Sequence, residues 1–510
     1  MKSRCAAQAI LATTLLFPFA LIAQNSARPE TVNAIRYKII DLGTLGGPIS
    51  YGSVNGYGFR ILNDSGVVAS YADLAVPDPN ASFFCYADCF QTHAFQWKNG
   101  VITDLGALPE NNNSAAASIN SRGWATGQSQ SSTIDPVLGF PEFRAVLWKH
   151  GQIIDLGTLD SGTESLGIFV NDAAQVIGFS TINTEPDPLG FFFQTHTFIW
   201  ENGRKLDIGT LGGADTLPGA SCSNPPEGMV WGQSTTRTTP NPDTGLPTDA
   251  PFLWDHGKMI DLGTLGGTYG FAQCANHRRQ VIGDSSVGAK PAACIAIGSP
   301  GCHAFFWENG IMTDLGTLGG DSSQVWWLND AGVSAGSADL ATPGIHHAVR
   351  WKDGQILDLG TVEGDACSHG RAINARGQIV GGSTDCHRAL HAFVWEEGGP
   401  MLDLNTLIPP PGSGVQLTNA ININDRGEIL SQSDPLGVTP IGEEDLGHLV
   451  LLVPCDEGRG DCVNVLATDA ASIIPSIRAE VGKYSAARQA LRDWHPGGGL
   501  RRPALGPETR

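Results

Sequence analysis

The stretch HAFFWENGIMTDLGTLGGDSSQVWWLNDAG, residues 303–332, decides the fold, because its parts return along most of the chain in one order. Its opening motif also stands at His93–Trp97 and His391–Trp395. In His93–Trp97, strand alternation puts Phe95 and Trp97 on one face and Ala94 on the other. Large facing small is what neighbouring sheets need when both faces are buried. Turn chemistry brackets each such strand. Lys98-Asn99-Gly100 and Lys352-Asp353-Gly354 fit tight hairpins, and so does the Asn-Asp-x-Gly pattern at Asn63–Gly66 and Asn329–Gly332.

Asp-Leu-Gly begins at Asp41, Asp104, Asp155, Asp261, Asp314 and Asp358, with variants at Asp207 and Asp403. Seven intervals separate Asp41 from Asp403, about 52 residues each. Many copies run on as Thr-Leu-Gly-Gly, whole at Thr44–Gly47, Thr210–Gly213, Thr264–Gly267 and Thr317–Gly320. Relatives of the asparagine turn stand at Asn120, Asn374 and Asn424, and looser third-strand copies end at Trp148, Trp200, Trp254 and Trp351. Residues 36–454 thereby resemble the bacterial extracellular repeat family named for its His-Ala-Phe triplet (HAF repeat proteins). Arg144 and Ala250 depart from its histidine. The resemblance implies an exported repeat protein and carries no activity with it.

Each unit reads as four short strands with no helix between them, which predicts an all-β fold of propeller blades. Arg36–Asp41 supplies only a fourth strand, and three strands after Asp403 lack one. Joining them completes eight blades and closes the ring without a free edge, the Velcro arrangement. Seven blades is the alternative, if the degenerate unit around Pro225 and Pro226 fails to form. Residues 455–510 read as a tail with a small Cys455–Cys462 loop, a helix over Pro475–Trp494 and a disordered end.

Lys2 and Arg4 followed by apolar Ala9–Ala23 read as a secretory signal over residues 1–23, with 24–35 a linker. No later stretch is apolar enough to span a membrane. Without Cys5 ten cysteines remain, an even number that suits an oxidising destination. Local pairs are expected at Cys85–Cys89, Cys294–Cys302, Cys367–Cys386 and Cys455–Cys462, and an interblade pair at Cys222–Cys274. The net charge of -20 disfavours nucleic acid and anionic lipid as partners. With 64 glycines and 31 prolines, turns outweigh long helices.

The tight turns fall on one face of the disc. The long loops between second and third strands fall on the other, where binding usually sits. Three successive loops there carry Phe83, Phe84, Tyr86 and Phe90, then Phe140 and Phe143, then Phe191, Phe192 and Phe193. Together they predict a ligand-binding aromatic rim, with mutual packing that anchors the loops as the structural alternative. The repeated aspartates suit turn amides. The repeated histidines His93, His196, His303, His347 and His391 suit hydrogen bonds between blades. Cys367, His369, Cys386 and His387 have metal-like spacing, but the hairpin places the cysteines opposite one another and favours a disulfide. Standard catalytic motifs are missing, and no cofactor is implied. The acidic loops Pro77–Asn80 and Asn241–Asp249 are compatible with calcium.

The sequence therefore predicts a secreted, non-catalytic propeller that binds an extracellular polysaccharide or protein on its long-loop face. The alternatives are a polysaccharide hydrolase or lyase with carboxylates at the channel mouth, and a structural protein of the envelope or matrix.

Overall fold

The computed structural model describes residues 35–52, 59–78, 90–108, 113–186, 193–219, 222, 225–237, 248–288, 294, 301–409, 414–435 and 447–465. They form eight four-stranded antiparallel sheets arranged as a ring, a β-propeller. Blade 1 is built from Gly46–Tyr51, Val68–Pro77, Phe90–Lys98 and Val101–Asp104. Blade 2 uses Ser114–Ile119, Ala125–Ile134, Pro141–Lys149 and Gln152–Gly157. Blade 3 uses Ser165–Val170, Val176–Pro186, Phe193–Glu201 and Arg204–Asp207. Blade 4 uses Thr216–Pro218, Met229–Thr235, Asp249–Asp255 and Lys258–Asp261. Blade 5 uses Gly270–Ala275, Val281–Ser286, Cys302–Glu308 and Ile311–Asp314. Blade 6 uses Gly319–Leu328, Ser334–Leu340, His346–Lys352 and Gln355–Asp358. Blade 7 uses Cys367–Ile373, Ile379–Thr384, Ala389–Trp395 and Leu402–Asp403.

Blade 8 takes Val415–Ile423, Ile429–Pro435 and Leu449–Cys455 from the C-terminal side and Arg36–Asp41 from the N-terminal side. The closing register runs from Arg36 opposite Cys455 to Asp41 opposite Val450. Eight blades and Velcro closure are therefore as the sequence predicts. The degenerate unit does form a full blade, although its inner strand is only three residues long. The chain past the Cys455–Cys462 disulfide turns back: Val465 bridges Ile40 in parallel, and Asn464 Oδ1 accepts from the Ile39 amide at 3.0 Å. This covers part of the outer edge of the closing strand. The expected tail helix and signal segment lie outside the described residues.

Burial shows which strand faces the axis. First strands are almost wholly buried, whereas fourth strands such as Val101–Asp104 and Ile311–Asp314 are mostly exposed. The third-strand phenylalanines Phe95, Phe198, Phe252, Phe305 and Phe393 have no exposed surface. Truncation of such a ring costs about 3–5 kcal/mol, so the motif's Phe is a packing residue.

Neighbouring blades are joined by one hydrogen bond repeated around the ring. The amide of Ala94, Ala145, Thr197, Ala304, Ala348 or Leu449 donates to the hydroxyl of Ser114, Ser165, Thr216, Ser323, Ser368 or Ser50, at 2.8–2.9 Å. Between blades 4 and 5 the pattern changes on both sides. Pro251 has no amide hydrogen to give, and Gly270 stands where the serine would be. A Cβ on Gly270 would lie 2.5 Å from Pro251 Cδ.

A second ring of bonds runs through the asparagine turns. The side-chain amides of Asn63, Asn120, Asn276, Asn329, Asn374 and Asn424 donate to the carbonyls of Asn120, Asn171, Asn329, Asn374, Asn424 and Asn63. The Asn424 to Asn63 bond closes the circle at 3.1 Å. The Asn171 amide donates to Gln175, whose Oε1 also accepts from the Gly228 amide of blade 4. The next junction carries the Cys222–Cys274 disulfide between adjacent inner segments, with Cα atoms 5.3 Å apart. It closes a sequence separation of 52, worth about 4 kcal/mol in the chain-entropy estimate. The covalent link thus falls at the junction where Pro251 and Gly270 replace the serine stitch.

Candidate functional site

The repeated polar groups are committed to the scaffold. Each motif aspartate accepts a backbone amide two residues on, as in Asp104 with Gly106 and Asp314 with Gly316, both at 2.7 Å. The same bond recurs at Asp41, Asp155, Asp207, Asp261, Asp358 and Asp403. The histidines differ from expectation, because most bond within a blade. Nδ1 of His93, His196, His303 and His347 meets Asp104, Asp207, Asp314 and Asp358, each 11 residues ahead on the fourth strand. Among the described residues His196 alone of these also reaches across, with Nε2 3.2 Å from the Ala214 carbonyl. His391 meets Asp365 instead. His448, outside the recognised motif, meets Asp41 across the ring closure.

Burial works to raise the carboxyls of Asp104, Asp207, Asp314 and Asp358. The histidine and glycine hydrogen bonds outweigh it and hold all four below their ordinary value. Burial likewise works against a charged His196, but the Asp207 hydrogen bond wins and raises it.

The long-loop face is less regular. Phe83, Phe84, Cys85, Tyr86, Cys89, Phe191 and Phe192 lie outside the described residues, as do residues 79–80 and 241–247 of the acidic loops. Phe90 and Phe140 are half-buried, while Phe143 is 9% exposed and Phe193 only 2%. Phe140 and Phe143 meet edge to face, with centroids 6.1 Å apart. The expected rim is therefore corrected at Phe143 and Phe193. Both sit at the roots of third strands, where the sheet interior takes their rings, and there they anchor loops. Among the described residues the exposed large apolar side chains toward this face include Val76 and Ile134 at the ends of second strands and Val137 in the blade 2 loop, between 45% and 56% exposed. An aromatic census of the sequence passes over them.

Beneath the blade 2 loop lies an acidic group. Asp135 is fully buried and Oδ1 accepts the Val137 and Leu138 amides at 2.7 Å. Glu142 pairs with Arg144, which has taken the histidine's place. Glu164 accepts the Phe143 amide at 2.7 Å. Burial, with the charges of Asp135 and Glu142 added, pushes the Glu164 carboxyl up to about 9. Glu164 thus remains protonated at neutral pH. Its position just before an inner strand matches Asn113 and Asp215, which also accept third-strand amides, so its first role is to join blades.

Near the axis the ring is asymmetric. Blades 2 and 3 present Ala115, Ala117, Leu166 and Ile168. At the same positions blades 5 to 8 present Gln273, Gln324, Trp326, His369, Arg371 and Asn419 together with the apolar Phe271 and Ile421. Arg371 lies over the Trp326 ring, 5.2 Å from its centroid. Burial, with Arg371 and His346 nearby, holds His369 well below the usual imidazole range and therefore neutral. These amide, indole, imidazole and guanidinium groups suit hydrogen bonding, and Gln273 donates to the buried Asp284 carboxylate at 3.1 Å, which burial pushes up to about 7.

Cys294–Cys302 and Cys367–Cys386 are disulfides, with Cα separations of 5.6 and 5.0 Å, so the metal-like cluster of the latter pair is a covalent bridge. Cys85–Cys89 falls outside the described residues. The metal-like group Cys455, Asp461 and Cys462 has both thiols in a disulfide. Among the described residues no helix is long and apolar enough to cross a membrane.

No protein-family description matches the chain, and no curated protein does. Solved structures share its propeller fold at very low identity. Dipeptidyl peptidase 4 of Porphyromonas gingivalis is 9% identical, with TM-score 0.42, over 77% of this chain and 60% of that one. The β-propeller domain of the Trilobed protease from Pyrococcus furiosus is 10% identical, with TM-score 0.38, over 72% and 99%. Acylaminoacyl peptidase of Pyrococcus horikoshii gives 11% and 0.38, and this chain spans about half of its length. These likenesses concern the fold alone.

Proposed function

We propose that this chain is an exported, non-catalytic β-propeller that holds an extracellular polysaccharide or protein on its long-loop face. The observation that carries the reading is the exposure of Val76, Ile134 and Val137 where the long loops of two neighbouring blades leave their second strands. Isolated exposed aliphatics are ordinary, but three on one loop face suit contact with a ligand. The disulfides support an oxidising compartment, extracellular or periplasmic, and the basic-then-apolar opening of the chain supports export.

A hydrolase reading has one observation in its favour: Glu164 holds a proton beside carboxylates, as a general acid must. Its backbone hydrogen bond and its place in a repeated joint favour a structural role.

The test is a polysaccharide pull-down and glycan array with the chain from residue 24, following retention and reducing-sugar release together. Retention without release is expected. Ile134→Ser with Val137→Ser should abolish retention while the thermal midpoint stays within about 2 °C, since both side chains are exposed. Reducing-sugar release would overturn the non-catalytic reading, and retention unchanged in the double variant would remove the loop face.

A further inference from the structure

The tight-turn face carries one feature that the repeat does not explain. Four residues after each turn asparagine, blades 1, 3, 5, 6, 7 and 8 place Val67, Gln175, Gln280, Val333, Gln378 and Glu428. Blade 2 places Trp124 there, half-buried, with its amide still held by Asn120 Oδ1 at 2.9 Å. The backbone role is therefore unchanged and only the side chain is new. Around the indole stand three basic side chains. Lys149 Nζ lies 4.2 Å from its centroid and Arg122 Cζ 5.2 Å. The His150 ring meets it edge-on at 5.5 Å.

None of Arg122, Lys149 and His150 has a carboxylate partner among the described residues. The nearby turn carboxylate of Asp172 is bound by the amide and hydroxyl of Ser121 at 3.0 and 2.6 Å. Two unneutralised cations, Arg122 and Lys149, gathered on one indole with an imidazole beside them are out of character for a chain of net charge -20. Cation–π contact holds the charges in place without neutralising them. A local basic site in an acidic field takes a short anionic ligand in preference to a long polyanion, because repulsion from the surrounding carboxylates grows with each charge placed beyond the site.

We propose that Trp124, Arg122, Lys149 and His150 form a second binding site, on the face opposite the long loops, for a carboxylated sugar at the end of an acidic oligosaccharide. The guanidinium and ammonium take the carboxylate, and the indole edge packs on the sugar ring. The site is independent of the long-loop reading.

The test is titration calorimetry of the purified chain with trigalacturonic acid, and with maltotriose as the neutral control, at 50 and 300 mM NaCl. Binding of the acidic trisaccharide alone is expected, weaker at the higher salt. The double variant Arg122→Gln with Lys149→Gln should weaken it at least tenfold. Both changes lie at the surface, and His150→Asn adds a third that keeps the fold. Asn99, Asn202 and Asn309 occupy the matching turn positions at φ 50 to 52, close to the 54 of His150. Equal heats with maltotriose, an unweakened double variant, or displacement by equimolar sulfate would each overturn the proposal. The long-loop variants Ile134→Ser and Val137→Ser should leave this binding untouched, which separates the two sites.

Discussion

Replacing Asn424 tests whether the asparagine ring closes the propeller. Its Oδ1 accepts the Arg426 and Glu428 amides at 3.1 and 3.0 Å. Its Nδ2 donates to the Asn63 carbonyl at 3.1 Å and to Glu428 Oε2 at 2.7 Å. Asn424→Ala removes all four. At a net of about 1 kcal/mol each the loss is roughly 4 kcal/mol, with the Glu428 amide left buried and unpaired. Urea unfolding followed by tryptophan fluorescence, with disulfides intact, reads the loss from the midpoint at a shared slope. Asn424→Ala within about 0.5 kcal/mol of wild type would refute the ring as a closure device.

Two further outcomes follow from buried positions. The Glu164 carboxyl rises from 4.5 to about 9 on folding, so its contribution is fully present below pH 4.5 and declines as pH climbs toward 9. Between pH 5 and pH 8 this removes roughly 4 kcal/mol, at 1.36 kcal/mol per unit. Glu164→Gln keeps the acceptor for the Phe143 amide and should gain on wild type by that order across the interval; a pH-independent difference in thermal stability would refute it. At the blade 4–5 junction, Gly270→Ser alone should destabilise by clash with Pro251, and Pro251→Ala alone should leave an unpaired amide. The double change restores the stitch of six other junctions, so a double-mutant cycle should show favourable coupling of at least 1 kcal/mol, and additivity would sink the account.

The blade count was legible because its signals are local. Asparagine turns, alternating Phe and Trp, and an unpaired strand at each end need no knowledge of packing. The histidine pairs were half legible. A constant spacing of 11 from His93 to Asp104 and from His303 to Asp314 marks a hairpin contact, but His448 and Asp41 stand 407 residues apart and meet only after closure. Burial at loop roots was not legible, because Phe193 and Phe191 look alike until the pairing of Phe193 with Pro186 puts one of them inside a sheet.

A broken repeat is a useful guide to function only after its compensation has been sought. Pro251 breaks the serine stitch, but Gly270 accommodates the ring and Cys222–Cys274 staples the same junction. Arg144 breaks the histidine series, but Glu142 neutralises it within the strand. Each of these departures is answered by a second one that restores packing or charge, so neither requires a ligand. Trp124 is different: the residues gathered around it add charge and leave it unneutralised. Val76, Ile134 and Val137 likewise expose apolar surface with 45–56% of each residue open to solvent. Those two uncompensated places, one on each face of the ring, are where a partner would supply the missing half of the interaction.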